Sequence, residues 1–455
     1  MTQISLPSGS TGRRLWPSKE SGDLRRRLTA VISGSLANLI AWYAFYIYPV
    51  FSLYLAKAFF PAGDARLLHV AGIFALGFVM RPIGSWLLGT YADRRGRSPA
   101  LVMSVMLMCL GCLIIAICPT YAQIGELAPT ILLVAALLQG ASLGGSYGSS
   151  SAFLSEVATS NLRGFYSSFS FVTIILGQLL ATILLLMLEK VLLTPEQLQA
   201  WGWRVPFLIG AALAASGFAL GRGMKPTADA GASPKIGAEL GAEIGFKTPG
   251  TGHSPMRELM KHKREVALAI GLTIGGTLAF YTFTVYFQEA LVVTVGLRPL
   301  PATLISSAAL AIFMLLQPLF ALVSDTIGRR PVLLWFGVLG VLFTVPILTA
   351  LQHTRDALTA FLLMVAALVI VSGYTSINVV VKSELFPAGV RALGTGLPYA
   401  LTVAVFGGTA DYVAFWFKSI GHQSWFPWYV TACILVSLPV YIFMRETRFS
   451  SHFDS

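Results

Sequence analysis

Long apolar runs broken by short polar stretches dominate this chain. They cover residues 29–56, 68–91, 99–119, 127–154, 165–189 and 203–221. A polar stretch follows at 222–263, and six more runs occupy 265–292, 302–324, 332–351, 357–381, 393–418 and 426–445. A helix needs about 20 apolar residues to cross the hydrocarbon core, so each run is a candidate span. The pattern predicts an all-α membrane protein with twelve transmembrane helices in two pseudo-symmetric six-helix bundles. The expected units are a cytoplasmic tail at 1–28, bundles at 29–221 and 264–445, a cytoplasmic linker at 222–263 and a cytoplasmic tail at 446–455.

Composition narrows the class. Hydrophobic residues make up 55% of the 455 positions and charged residues 11%, against roughly 25% charged in soluble domains. This excludes a solvated enzyme, a disulfide scaffold and a disordered chain. The net charge of +12 sits mainly in loops on one side. Most Lys and Arg fall in the tails, the 222–263 linker and the loops at 92–98, 155–164, 325–331 and 382–392. The positive-inside rule then places both termini in the cytoplasm. The basic excess is read as loop charge attracted to anionic lipid, and no nucleic-acid partner is expected. Cys109, Cys112, Cys118 and Cys433 lie in apolar runs. Cys109 and Cys112 form a C-x-x-C without a second pair, which fits helix packing better than a zinc or redox site. No metal-ligand spacing, phosphate-cradling loop or nucleophile–base set is visible.

Two motifs repeat at nearly one offset, which marks a duplicated six-helix unit. After the second run stands Gly89, Asp93, Arg94, Gly96, Arg97; after the eighth stand Asp325, Gly328, Arg329, Arg330. Glu156 and Arg163 follow the fourth run as Glu384 and Arg391 follow the tenth. An aspartate here can pair with a nearby Arg or sit at the N-terminus of a neighbouring helix, where a carboxylate is favoured. Together they read as an inner gate of Gly89, Asp93, Arg94, Arg97, Glu156, Arg163, Asp325, Arg329, Glu384 and Arg391; the plain alternative is positive-inside loops.

Inside the runs, polar residues are few. Arg81 lies mid-span, where a charge is expensive and faces a cavity or partner. It could hold a substrate carboxylate bidentately, form a structural ion pair, or snorkel to the interface. Gly140, Gly144 and Gly148 form one face that suits close helix contact. Asn38, Tyr46, Gln139, Gln178, Tyr281, Tyr286, Gln288, Asn378 and Tyr399 could line a cavity or bridge helices. Asp411 is an intramembrane acid and a candidate proton carrier. Trp201, Trp203 and Arg204 read as an interfacial anchor opening the sixth helix.

The repeated G-x-x-x-D-R-x-G-R loop resembles the major facilitator superfamily. Within it, Arg81-Pro82, Gln139-Gly140 with Gly144-Gly145, Trp201 to Phe207, and Glu384 with Phe386-Pro387 and Arg391 look like the metabolite:proton symporter family. Phe280 to Thr284, Leu342 to Leu348 and Val405 to Gly408 look like that family's 2-oxoglutarate carriers. The resemblance spans about residues 25 to 440. It implies a monomeric bacterial inner-membrane carrier that imports a carboxylate, 2-oxoglutarate or a related dicarboxylate, with protons. The other readings are a facilitator or exporter of a different acid or a less polar metabolite, and a non-transporting sensor.

The sequence departs from the family at four positions. Ala41, Ala44 and Ser146 stand where the family carries acids, and Ala136 where it carries Arg. Losing both signs suggests a cooperating set that disappeared together. No cofactor is expected. The proton remains the candidate coupling ion, with Asp411 its candidate carrier.

Overall fold

The computed structural model describes residues 38–63, 65–95, 97–157, 160–223, 255–387 and 390–448. The 1–28 tail, most of the linker and most of the C-terminal tail lie outside the described residues.

The apolar runs form helices in the order the pattern predicts. In the first half, α1 joins Asn38–Val50 to Ser52–Phe59 through a 60° bend. It is followed by α2 (Arg66–Arg95), α3 (Arg97–Ile117), α4 (Leu127–Val157), α5 (Arg163–Met187 with Leu188–Leu192) and α6 (Arg204–Gly223). In the second half, α7 joins Lys263–Tyr281, Thr282–Tyr286 and Phe287–Val293. Then come α8 (Pro299–Ile327), α9 (Arg329–His353) and α10 (Ala357–Thr375 with Asn378–Leu385). The series ends with α11 (Arg391–Thr402, Val403–Gly407 and Ala410–Ser419) and α12 (Trp425–Phe443).

Large side chains on the outer surface are apolar: Trp86, Leu315, Leu342 and Phe443 are all exposed. Such a belt is costly in water and favourable against lipid acyl chains. Within the first bundle, α2 and α4 touch backbone to backbone. A Cβ on Gly140 would overlap the Gly77 carbonyl, and one on Gly144 would overlap the Arg81 carbonyl. The small-residue face of α4 is therefore a packing seam. In the second bundle α12 grips α7 by polar contacts. Ser437 Oγ donates to the Gly271 carbonyl at 2.6 Å and accepts from Gly275 N at 2.9 Å, and Tyr441 donates to Leu272 O at 2.9 Å.

The two bundles meet along α5 with α8 and along α2 and α4 with α11. Three helices lose regularity near this interface. α7 takes a wide π turn at Thr282–Tyr286, α11 does so at Val403–Gly407, and α10 breaks between Thr375 and Asn378. Irregular backbone within a membrane is tolerated where it is buried in protein or lines a cavity.

Lys382 lies not in a polar loop at 382–392, as its charge and position suggest, but within α10, which resumes after its break and carries it fully buried. The break lets the helix continue past the end of its apolar run. Trp203 also differs from a plain interfacial anchor. It is buried edge-on against Phe59 with the Arg204 guanidinium over its ring, while Trp201 is exposed.

Candidate functional site

Two buried cations stand at the centre of the bundle interface. Arg81, from α2, is 3% exposed. Its guanidinium carbon lies 3.7 Å from the Phe78 ring centre, 4.5 Å from Phe45 and 5.4 Å from Trp42. Its Nη1 donates a long 3.4 Å hydrogen bond to the Tyr281 hydroxyl. Its Nε and Nη2 have no hydrogen-bond partner among the described residues. Lys382, from α10 of the other half, sits with Nζ 4.0 Å from the Tyr399 ring centre and 5.7 Å from that of Tyr147. Nζ has no hydrogen-bond partner among the described residues either. Tyr399 and Tyr147 are stacked at 4.0 Å across the interface. Arg81 therefore meets the rings of Trp42, Phe45 and Phe78, and Lys382 those of Tyr399 and Tyr147.

The magnitudes show what this centre lacks. A desolvated cation–π contact is worth about 2 kcal/mol. Removing an ion from water costs several kcal/mol after relaxation. The rings offset part of that cost, and an anion would supply the rest. Neither cation has an ion pair among the described residues.

The other cavity candidates divide by what they touch. Asn378, beside the α10 break, is fully buried with both amide atoms unpartnered among the described residues. Tyr46 stacks on Trp42, and Tyr281 meets Phe78 edge-on, both beside Arg81. Gln178 donates at 2.7 Å to the Thr284 carbonyl in the α7 π turn and so ties the halves together. Asn38 donates to Thr173 at 2.7 Å and accepts from Trp42 Nε1 at 3.0 Å, which joins α1 to α5. Gln139 directs its amide to Cys112 on α3 at 3.2 Å, within the first bundle. Tyr286 packs edge-on against Phe415 and Phe426. Gln288 lines a cleft at one end of the molecule together with Glu289 and Glu189.

At the opposite end, the end rich in Arg, charges are paired. Asp325, at the end of α8, accepts from the backbone N–H groups of Gly164 and Phe165 at 2.9 and 2.8 Å. A carboxylate at the first turn of a helix meets the positive end of its dipole. The same carboxylate binds Arg329 Nη1 at 2.7 Å, and Arg329 Nη2 reaches Glu384 at 3.3 Å. Glu384 also accepts from Thr447 at 2.6 Å. Glu446 accepts from the N–H groups of Arg329 and Arg330 at 2.8 and 2.9 Å, at the first turn of α9. Arg391 binds the Ser383 and Phe386 carbonyls, and Arg163 is buried at the start of α5. Gly164 is required here, because a Cβ would sit 2.6 Å from Arg329 Nη1. The network thus joins α5 of the first half to α8, α9 and α10 of the second. The side chains of Asp93, Arg94, Arg97 and Glu156, and the surroundings of Gly89, lie outside the described residues.

A single family model, that of the sugar (and other) transporters, matches residues 29–224 and 235–454. The chain belongs to that family. Similarity to curated members is high. The alpha-ketoglutarate permease of Escherichia coli (strain K12) is 46% identical over 94% of this chain and 95% of its own. A citrate-proton symporter of Klebsiella pneumoniae is 31% identical over 84% of this chain and 83% of its own. Among solved structures, the proton:xylose symporter XylE superposes with a TM-score of 0.70 at 18% identity, over 93% of this chain and 97% of that one. That last likeness carries the major facilitator fold of twelve helices in two bundles.

Sequence reasoning missed Lys382 and Glu289. Lys382 falls just after an apolar run and beside a charged motif, so it passes for loop charge. Glu289 falls within four residues of the end of α7 and passes for an end-of-helix acid.

Proposed function

We propose that this protein is a secondary active carrier of small dicarboxylates, with 2-oxoglutarate the first candidate, across the bacterial inner membrane. One observation carries the reading: each half supplies one buried cation that lies against aromatic rings and has no ion pair among the described residues. A substrate with a carboxylate at each end would neutralise Arg81 with one and Lys382 with the other. The fork of Arg81 suits bidentate carboxylate binding, and Lys382 supplies a point charge. The names of the permease and the citrate symporter support this substrate class and proton coupling.

The same geometry supports alternating access. Both cations are enclosed, so the conformation is occluded. Because the cations come from different bundles, a bound dianion draws the halves together and lowers the cost of burying both charges. Access from the Arg-rich end then requires Asp325 to release the N-terminus of α5. The positive-inside rule makes that end cytoplasmic and puts both chain termini on the same side.

The test is uptake of labelled 2-oxoglutarate into proteoliposomes, with and without an inward proton gradient. Accumulation above equilibrium with the gradient, inhibited by other dicarboxylates and not by neutral analogues, is the expected result. Uptake blocked by neutral analogues and indifferent to dicarboxylates would overturn the substrate class.

A further inference from the structure

One uncharged side chain near Lys382 is buried with neither polar atom bonded. Asn378 opens the second segment of α10 and is fully buried. Its Oδ1 and Nδ2 have no hydrogen-bond partner among the described residues. Most buried polar side chains are met, so an unmet one calls for a reason. The α10 break does not supply it, because the main chain holds that turn. Ser376 N donates to Ser372 O at 3.2 Å, Ile377 N to Tyr374 O at 3.4 Å, and Val381 N to Ile377 O at 3.0 Å. Ile377, not Asn378, caps the segment, and no side chain bonds there.

Position ties the amide to a charge. Asn378 and Lys382 are one helical turn apart in the segment Asn378–Leu385. Side chains with that spacing share a face, with Cβ atoms about 5–6 Å apart. Ser376 and Ser383 also carry unpartnered hydroxyls among the described residues. However, Ser376 lies in the break before the segment begins, and Ser383 is turned about 100° from Lys382. The face of α10 that bears the cation therefore offers one neutral N–H donor beside it. With neither amide atom bonded, no contact fixes which way the amide faces, and its NH2 group is free to turn to an acceptor.

The two ends of a 2-oxo dicarboxylate differ in the same way as the two cation sites. The plain end is a carboxylate, and its two oxygens suit the fork of Arg81. The other end places a neutral carbonyl oxygen on the carbon next to a carboxylate. A point charge with an amide donor one turn away matches that pair of acceptors. We propose that Asn378 reads the 2-oxo group of the substrate. Lys382 takes the carboxylate beside the oxo carbon, Asn378 Nδ2 donates to the oxo oxygen, and Arg81 holds the far carboxylate. Asp411, also buried, stands on α11 and takes no part in this contact. The inference rests on the carrier reading above and deepens it, since it gives the substrate one orientation and separates 2-oxo acids from plain dicarboxylates. A dicarboxylate of the same length without the oxo group leaves the amide unmet, and a site built around a hydrogen bond discriminates against the analogue that lacks it. The competing donor is Tyr281 at the other end, which already receives an N–H from Arg81.

The experiment is equilibrium binding of 2-oxoglutarate and of glutarate, which has the same length and no oxo group, to the full-length purified protein. Wild type should prefer 2-oxoglutarate by about 2–13-fold, the worth of one ordinary hydrogen bond. In Asn378→Leu the preference should fall to near one, and Asn378→Ala should repeat the result. The ratio is the readout, because a loosened site loses both ligands together. A wild type that binds the two equally overturns the proposal without any variant. A preference kept in Asn378→Leu and lost in Tyr281→Phe would put the oxo group at the Arg81 end and overturn it as well. Parallel loss of both ligands in the two Asn378 variants refutes the oxo contact and leaves the carrier reading standing. A wild type that binds neither dicarboxylate refutes the carrier reading, and the oxo contact with it.

Discussion

Arg329 and Arg81 are both buried guanidiniums, and they have opposite surroundings. Arg329 meets Asp325, Glu384 and the Ser324 hydroxyl. Arg81 meets three aromatic rings and one distant phenol. The first is a closed account of charge and holds a shape. The second leaves charge uncompensated in low dielectric, which is tolerable in a carrier because a ligand completes it. In this molecule the pairing of a buried charge separates these two arginines better than its depth does.

The largest test of that contrast is Arg329→Ala. It strands Asp325 and Glu384 in a buried place, and removing one partner of such a pair costs about 3–5 kcal/mol. Thermal unfolding of the purified protein should fall accordingly, with or without substrate. An unchanged melting temperature would show that the network is not holding this end together. Arg81→Ala should behave in the opposite way. Dicarboxylate affinity should drop by about 2–5 kcal/mol, as when one member of a buried charge pair is lost. Stability without substrate should hold or rise, because no acid is stranded. Equilibrium binding and ligand-free melting, measured on one preparation, check both halves of this statement.

Lys382→Met sharpens the comparison, since it removes a cation that, among the described residues, meets aromatic rings and no hydrogen-bond acceptor. Dicarboxylate binding should weaken by about 1.5–3 kcal/mol, the worth of a hydrogen bond to a charged group. A monocarboxylate competitor should lose much less, so the preference between the two classes narrows. Competition binding reads this directly. Equal losses for both classes would place Lys382 outside the substrate's reach.

The twelve-helix plan was legible because it rests on period, length and repetition. Asp325 at the N-terminus of α5 follows from the dipole argument that its motif allows. The α4 glycine seam followed from a four-residue repeat and is seen in backbone contact at Gly140 and Gly144. What stayed hidden depends on helix breaks and on side-chain direction. Lys382 is buried because α10 restarts at Asn378, and an apolar run cannot show a restart. Gln139 and Asn38 look like cavity residues in the sequence, yet Cys112, Thr173 and Trp42 satisfy their amides within the first bundle. The polar type is visible in sequence, and the partner is not.

The smallest effect tests whether an unpartnered polar group follows the same rule as an unpartnered cation. Asn378 is buried with neither amide atom bonded among the described residues. It opens the second segment of α10, one turn before Lys382. Replacing it by Leu removes two unsatisfied polar atoms at nearly constant volume, and such a change is neutral or stabilising where no partner exists. Ligand-free melting should therefore not fall. If the amide meets substrate, affinity should drop by about 0.5–1.5 kcal/mol, the net worth of an ordinary hydrogen bond. A fall in melting temperature without loss of affinity would make Asn378 a structural residue of the break, and the rule would then hold for charges alone.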